Sequence, residues 1–264
     1  MADSAFWDSR ALKYGHTGWY DFSTYAFDQQ VRLLVMNRII REEVSSRQCA
    51  LDFGTGTGDF AGMLSEIFKH VKAFDISSQV CQIAEEKFRD NPNITIMHDE
   101  AIYDCTIEPA SLDLVLSVTV LQHINNISEI DKILKFFYEI IKPNGHLIVL
   151  EFAPIDSSSS TNYQTERSFY EWVEAFDRQD FMMKKYYGFY HPSLSPVTSY
   201  KNYHSPRLFR VLKLFYAFNS VKEYLNNRAS AMIDDASEYY WTGRPDDPMK
   251  IMILQKRNMK EDSD

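Results

Sequence analysis

The residues most able to do chemistry stand in one short run, Asp52-Phe53-Gly54-Thr55-Gly56-Thr57-Gly58-Asp59. Its glycines permit a tight turn and let a ligand approach the backbone closely. Its first two residues end Cys49–Phe53, a short apolar stretch that reads as a buried strand, so the turn opens at the carboxyl end of that strand, where open α/β sheets bind ligands. The spacing is G-x-G-x-G, with Asp59 where a dinucleotide fingerprint has its third glycine, and an anion there opposes a pyrophosphate. No Gly-Lys-Ser/Thr follows, so the run is not a phosphate-cradling P-loop. It suits a cofactor without phosphate. Asp75 ends the next apolar stretch, 21 residues after Gly54, and a carboxylate at that place can accept two hydrogen bonds from ribose hydroxyls.

The elements that position these groups alternate. A helical pattern over Ala26–Glu43 buries Val31, Leu34, Val35, Ile39 and Ile40 on one face. Strands are predicted at Cys49–Phe53, Val71–Phe74, Ile94–Met97, Leu112–Ser117 and His146–Phe152. Helices fall between them: one after the glycine run carrying Phe60, Met63, Leu64 and Phe68, one capped by Ser77 or Ser78 and running to about Arg89, and one over Ile127–Ile141 stopped at Lys142-Pro143-Asn144-Gly145. Strands that alternate with helices and carry apolar residues on both faces imply a parallel sheet covered on both sides. Beyond Phe152 the pattern breaks: a serine run at Ser157–Ser160, an amphipathic helix over Thr165–Asp177, a stretch rich in Tyr, Phe, Pro and His over 181–247, and a last strand at Met249–Leu254. Phe169, Trp172, Phe176 and Phe181 form an aromatic stripe expected to belong to the core.

The motifs in this order resemble those of class I S-adenosylmethionine-dependent methyltransferases. LDFGTGTGDF is similar to the first motif of that family, KAFDIS to the second, LDLVLSVTVLQHI to the fourth-strand segment, and LKFFYEIIKPNGHLIVLEF to the later helix, turn and strand; the resemblance covers about residues 47–152. It implies a Rossmann-like α/β doubly wound sheet, mostly parallel with an antiparallel last strand, with an N-terminal helical lid and a C-terminal cap insertion. The chain is then one domain over 1–264: lid helices in 1–46, cofactor-binding core in 47–152, acceptor-side helix and cap in 153–247, last strand in 248–257.

The resemblance also implies a cofactor, S-adenosyl-L-methionine, and residues to hold it. The backbone of Gly54, Thr55, Gly56 and Gly58 would pass the methionine part, and Asp52 would help hold its ammonium, the other reading of Asp52 being a strand-end acid that caps the loop. Asp75 would hold the ribose and Ile76 would pack on the adenine. An acid near the adenine amino group is expected after the third strand: Asp99 first, Glu100 second. Ser117 would pass the methionine moiety. His123 would face the acceptor as a general base, since its pKa lies close to working pH; a structural histidine bonded to a loop is the alternative. In Tyr14-Gly15-His16-Thr17-Gly18-Trp19 the glycines permit bending, and Tyr14 and Trp19 could cover the cofactor while His16 meets the acceptor.

Composition bounds the acceptor. The net charge is −9 among 264 residues and the pI about 5.3, a balance that on average repels nucleic acid and anionic membrane. Yet residues 181–222 hold Lys184, Lys185, Lys201, Arg207, Arg210, Lys213 and Lys222 and no Asp or Glu. An anionic acceptor read by Arg207 and Arg210 is one explanation; a basic face packed on the acidic core or on another subunit, or a nucleic-acid groove, are others. The expectation is methyl transfer to a small-molecule or glycan acceptor, at an oxygen of an anionic phosphate, carboxylate or sugar-linked group. The alternatives are an RNA or protein methyltransferase and a cofactor-binding, non-catalytic partner protein. Three widely spaced cysteines, no apolar run of signal-peptide or membrane-spanning length and no metal-ligand pattern complete the expectation of a metal-free, cytoplasmic protein. The sequence leaves its oligomeric state open.

Overall fold

The computed structural model describes residues 4–18, 22–155, 159–160, 164–189, 215–216, 218–234 and 247–257. Helices α1 (Ser4–Tyr14) and α2 (Phe22–Glu43) precede β1 (Cys49–Phe53), α3 (Asp59–Ser65), β2 (His70–Asp75), α4 (Ser78–Lys87), β3 (Ile94–His98), β4 (Leu112–Val118), α5 (Ile127–Ile140) and β5 (Ile141–Phe152). A two-residue pair, β6 (Ser159–Ser160) and β7 (Thr165–Glu166), then α6 (Phe169–Asp177), β8 (Phe181–Phe189) and α7 (Asn219–Asp234) lead to β9 (Met249–Lys256).

Seven strands form one sheet in the order β3-β2-β1-β4-β5-β9-β8. The first five run parallel, and β9 is antiparallel to both β5 and β8. The fold is Rossmann-like, and its strand order reverses between β1 and β4, which opens a crevice at their carboxyl ends.

Each face of the sheet is covered. On one, Phe27, Val31, Val35, Ile39 and Ile40 of α2 and Phe60 and Leu64 of α3 pack on Ala50, Leu114, Leu116, Ile148, Ile251 and Ile253. On the other, Ile130, Leu134 and Phe137 of α5 and Trp172 and Phe176 of α6 pack on Leu51, Val115, Leu147, Val149 and Leu254. Trp172, Phe176 and Phe181 are buried, as the stripe predicted.

Three sequence expectations are corrected. The helix read over Thr165–Asp177 starts only at Phe169, because Ser168 and Glu171 form a capping box there, and Thr165–Glu166 is strand. Residues Phe181–Phe189 are an edge strand, where Met and Lys alternate with half-buried neighbours and obscure the period. Phe68 lies beyond the end of α3, which stops at Ser65. No helix among the described residues is long and apolar enough to cross a membrane.

Candidate functional site

A cavity of about 500 Å³ opens at the crevice, a volume in the range of small-molecule sites. Its floor is the glycine loop, where Gly54, Thr55, Gly56 and Thr57 line it. Gly54 has φ 74°, and a Cβ there would lie 2.4 Å from Val120 Cγ2, so only glycine lets the loop close against the end of β4. Gly58, at φ 81°, faces away: a Cβ there would strike Phe88, and the residue does not line the cavity.

Asp75 and Ile76 form the next part of the wall. Asp75 is 8% exposed. It accepts the N–H of Gly56 at Oδ2 and of Ser77 at Oδ1, both at 3.0 Å. Burial raises its pKa, and the N–H groups of Ser77 and Gly56 oppose the rise. A carboxylate has about four acceptor sites, so this one retains capacity for a diol while it holds the loop. That donor demand and the open backbone cradle beside it fit the ribose and the methionine part of S-adenosylmethionine.

After β3, Glu100, Ala101 and Ile102 line the cavity, whereas Asp99 does not; it turns back to accept the N–H of Glu100 at 2.8 Å. Of the two acids, Glu100 is the one that reaches the cavity. Asp52 is also absent from the wall. It lies 2% exposed beneath the loop, where Oδ2 accepts the Thr55 hydroxyl at 2.6 Å. Burial pushes its pKa up to about 7, against the Thr55 bond and with help from Asp75. This geometry matches the reading of a loop-capping acid. Ser117 is fully buried inside β4, and Val118, Thr119 and Val120 face the cavity in its place. Thr119 has φ 57° and donates its N–H to Leu150 O at 2.7 Å, an unusual conformation for a β-branched residue.

His123 lines the cavity from a 3-10 turn, Leu121–His123. Its ring meets Trp7 of α1 edge-on, with centroids 4.9 Å apart. The turn is fixed from below by Glu151 of β5, fully buried, which accepts the N–H of Val120 (3.1 Å), Leu121 (2.9 Å) and Gln122 (3.2 Å). Burial pushes the Glu151 pKa up to about 8, although these donors and the Arg167 guanidinium pull it down.

The N-terminal segment forms the roof. Phe6, Trp7, Arg10, Thr17 and Gly18 line the cavity, while Tyr14 and His16 do not. His16 is stacked on Tyr25 at 3.9 Å, and burial, then the Arg10 guanidinium, lowers its pKa. Arg10 spans the roof between the Phe6 and Tyr14 rings and donates to the carbonyls of Thr17 and Gly18. Asp8 anchors α1 to the start of α4, where Oδ1 accepts the Ser77 hydroxyl at 2.5 Å and the Gln79 N–H at 3.3 Å. Tyr25, Gln29 and Arg32 of α2, with Phe152, Gln164, Glu166 and Met249, complete the lining. Trp19, Arg207 and Arg210 lie outside the described residues.

Sequence reasoning missed the α2 residues, because a helix pattern signals only its apolar face and Tyr25, Gln29 and Arg32 read as solvent-facing. It also missed Asp8. Asp59 lines the cavity too, but Lys87 Nζ pairs with it at 2.6 Å, a compensation that the order of residues does not reveal.

Similarity to known proteins centres on the core of the chain. Residues 51–149 match a family described as "Methyltransferase domain". Over 111 residues the chain is 32% identical to the ubiquinone/menaquinone biosynthesis C-methyltransferase UbiE of Vibrio campbellii, covering 40% of this chain and 42% of that protein. The match thus spans less than half of the relative's length. A solved structure described as a putative sarcosine dimethylglycine methyltransferase from Galdieria sulphuraria shares the fold, with TM-score 0.59 and 15% identity over 95% of this chain and 98% of the other. So does DhpI, solved with SAH, with TM-score 0.53 and 16% identity over 70% and 89%. The cofactor that these comparisons support is S-adenosylmethionine. Over residues 51–149 the chain is thus similar to S-adenosylmethionine-dependent methyltransferases.

Proposed function

We propose that the protein transfers a methyl group from S-adenosylmethionine to an oxygen of a small-molecule or glycan acceptor that carries an anionic group. The observation that supports this reading best is one continuous cavity lined by the glycine loop, Asp75, Glu100, His123, Arg32, Phe152 and Met249.

In this reading Gly54, Thr55 and Gly56 seat the methionine part, Asp75 the ribose, Ile76 the adenine face and Glu100 the adenine amino group. Asp52 and Gly58 shape the loop from behind. The cofactor, when bound, supplies an electrophilic methyl on a sulfonium that is already a good leaving group. The chain's own work is alignment and exclusion of water: α1 covers the cavity with Phe6 and Trp7, and the walls hold the acceptor oxygen in line. His123 takes the acceptor hydroxyl's proton where that oxygen is not already ionised. The chain works as one domain over 1–264, with 1–46 as the cover and 153–247 on the acceptor side. Its three free cysteines suit a reducing cytoplasm.

A second reading is methylation of a ring carbon, favoured by the likeness to a C-methyltransferase and by the aromatic roof. Methyl transfer from labelled S-adenosylmethionine, assayed against phosphorylated and carboxylated sugars and against a hydroquinone, decides between them. Turnover of an acidic sugar that falls at least about 100-fold in His123→Ala supports the first reading. Turnover of the hydroquinone alone supports the second.

A further inference from the structure

Arg32, in the third turn of α2, is the least expected group in the cavity wall. It is 7% exposed, and its Nε has no hydrogen-bond partner among the described residues. It forms no ion pair there either. Asp28, one helical turn earlier, is buried at 1% without bridging to it. Asp59, at the start of α3, is taken by Lys87 at 2.6 Å, by Gln29 Nε2 at 3.3 Å and by the Tyr25 hydroxyl at 3.4 Å. Burial raises the Tyr25 pKa, and the Arg32 charge is within electrostatic reach to oppose that rise.

A guanidinium stays charged at any working pH, and a buried charge is costly unless paired and hydrogen-bonded. Other buried polar groups at or beneath this wall hold part of the fold. Asp75 and Asp52 secure the loop, and Gln122 Oε1 accepts the Phe152 N–H. Arg32 holds nothing among the described residues, yet it faces a cavity large enough for a ligand, and its planar fork suits a carboxylate or phosphate.

We propose that Arg32 is an anion receptor, binding a carboxylate or phosphate oxygen of a molecule held in this cavity. The proposal rests on the methyl-transfer reading of the site. Two sources share the chemistry: the amino-acid carboxylate of the cofactor and the acid group of the acceptor.

Calorimetric titration of the full chain separates them. The probes are S-adenosylhomocysteine, then 5′-methylthioadenosine, which keeps the nucleoside and thioether without the carboxylate, then acetate and inorganic phosphate added to S-adenosylhomocysteine-saturated protein. If the cofactor is the source, Arg32→Met weakens S-adenosylhomocysteine at least about tenfold and leaves 5′-methylthioadenosine unchanged. If the acceptor is the source, both nucleosides bind Arg32→Met as before, and binding of acetate or phosphate to the saturated protein is lost. In either case Arg32→Lys restores part of the affinity, since charge returns without the bidentate fork. The ligand-free Tm of Arg32→Met is expected to equal or exceed that of the wild type. Arg32→Met titrations identical to wild type for all four probes overturn the proposal; should that variant not fold, an unaltered Arg32→Lys does the same. Failure of the wild type to bind either nucleoside sinks the methyl-transfer reading instead, and the acetate and phosphate arms then decide Arg32 alone.

Discussion

Glu151 Oε1 accepts the backbone N–H of Leu121 at 2.9 Å, tying the last residues of β5 to the turn that presents His123. The same carboxylate takes the N–H groups of Val120 and Gln122, so a single side chain satisfies three donors that would otherwise be poorly served inside the fold. Leaving a buried donor unsatisfied costs roughly 1–3 kcal/mol. Glu151→Ala is therefore expected to destabilise the protein by at least about 3 kcal/mol. Glu151→Gln, which keeps one acceptor oxygen but turns an amide toward Gln122, should fall between it and the wild type. Urea denaturation checks the order. Equal stability of all three proteins would remove Glu151 from this role.

Asp8 does for the roof what Glu151 does for the turn. Its carboxylate meets the Ser77 hydroxyl and the Gln79 N–H at the start of α4, where a helix also favours negative charge. Asp8→Ala should loosen α1 over the cavity and weaken cofactor binding by about 1–2 kcal/mol, roughly 5- to 30-fold. The core is untouched, so Tm should change little. Calorimetry and a thermal scan on the same sample separate the two effects.

In the proposed reading Asp75 serves the loop and the ligand at once. Asp75→Asn keeps an acceptor for one of the two N–H groups but replaces a charge-assisted bond to a ribose hydroxyl by a neutral one. The expected loss in S-adenosylhomocysteine affinity is about 1.5–3 kcal/mol, tenfold or more. Unchanged affinity would place the ribose elsewhere.

Asp52 and Glu151 set an unusual pH dependence. Their folded-state pKa values, about 7 and about 8, lie above ordinary carboxylate values because burial disfavours the charge. Between the unfolded and folded values the native state binds more protons than the unfolded chain, so stability falls as pH rises. The ligand-free protein should melt at a higher temperature near pH 5 than near pH 8. Asp52→Asn, still able to accept the Thr55 hydroxyl, should flatten that slope. A Tm that rises over the same interval would contradict the assignment.

The core was legible in the residue order for a physical reason. Parallel strands covered on both faces are short apolar runs, and the turn after β1 needs glycine at Gly54, where φ is 74° and Val120 leaves no room for a Cβ. Asp75 could be found because its place is fixed by the end of β2. Other residues carried no such signal. Glu100 and Asp99 are adjacent acids, and only the backbone path after β3 decides which one faces the cavity. Thr119 adopts a left-handed conformation that a threonine does not advertise. Arg32, Gln29 and Tyr25 looked like the polar side of α2 because the cavity, rather than solvent, lies against them. The strand β8 was hidden by its position at the sheet edge, where alternating exposure admits Met182, Lys184 and Tyr186.

The most direct measurement is calorimetric titration of the wild-type chain with S-adenosylmethionine and S-adenosylhomocysteine. A cavity walled by Gly54, Asp75, Ile76 and Glu100 should bind both in a single 1:1 event at micromolar affinity, weakened by Asp75→Asn. Absence of binding by either ligand, in a chain that is folded by circular dichroism, would contradict the assignment of this cavity as the cofactor site.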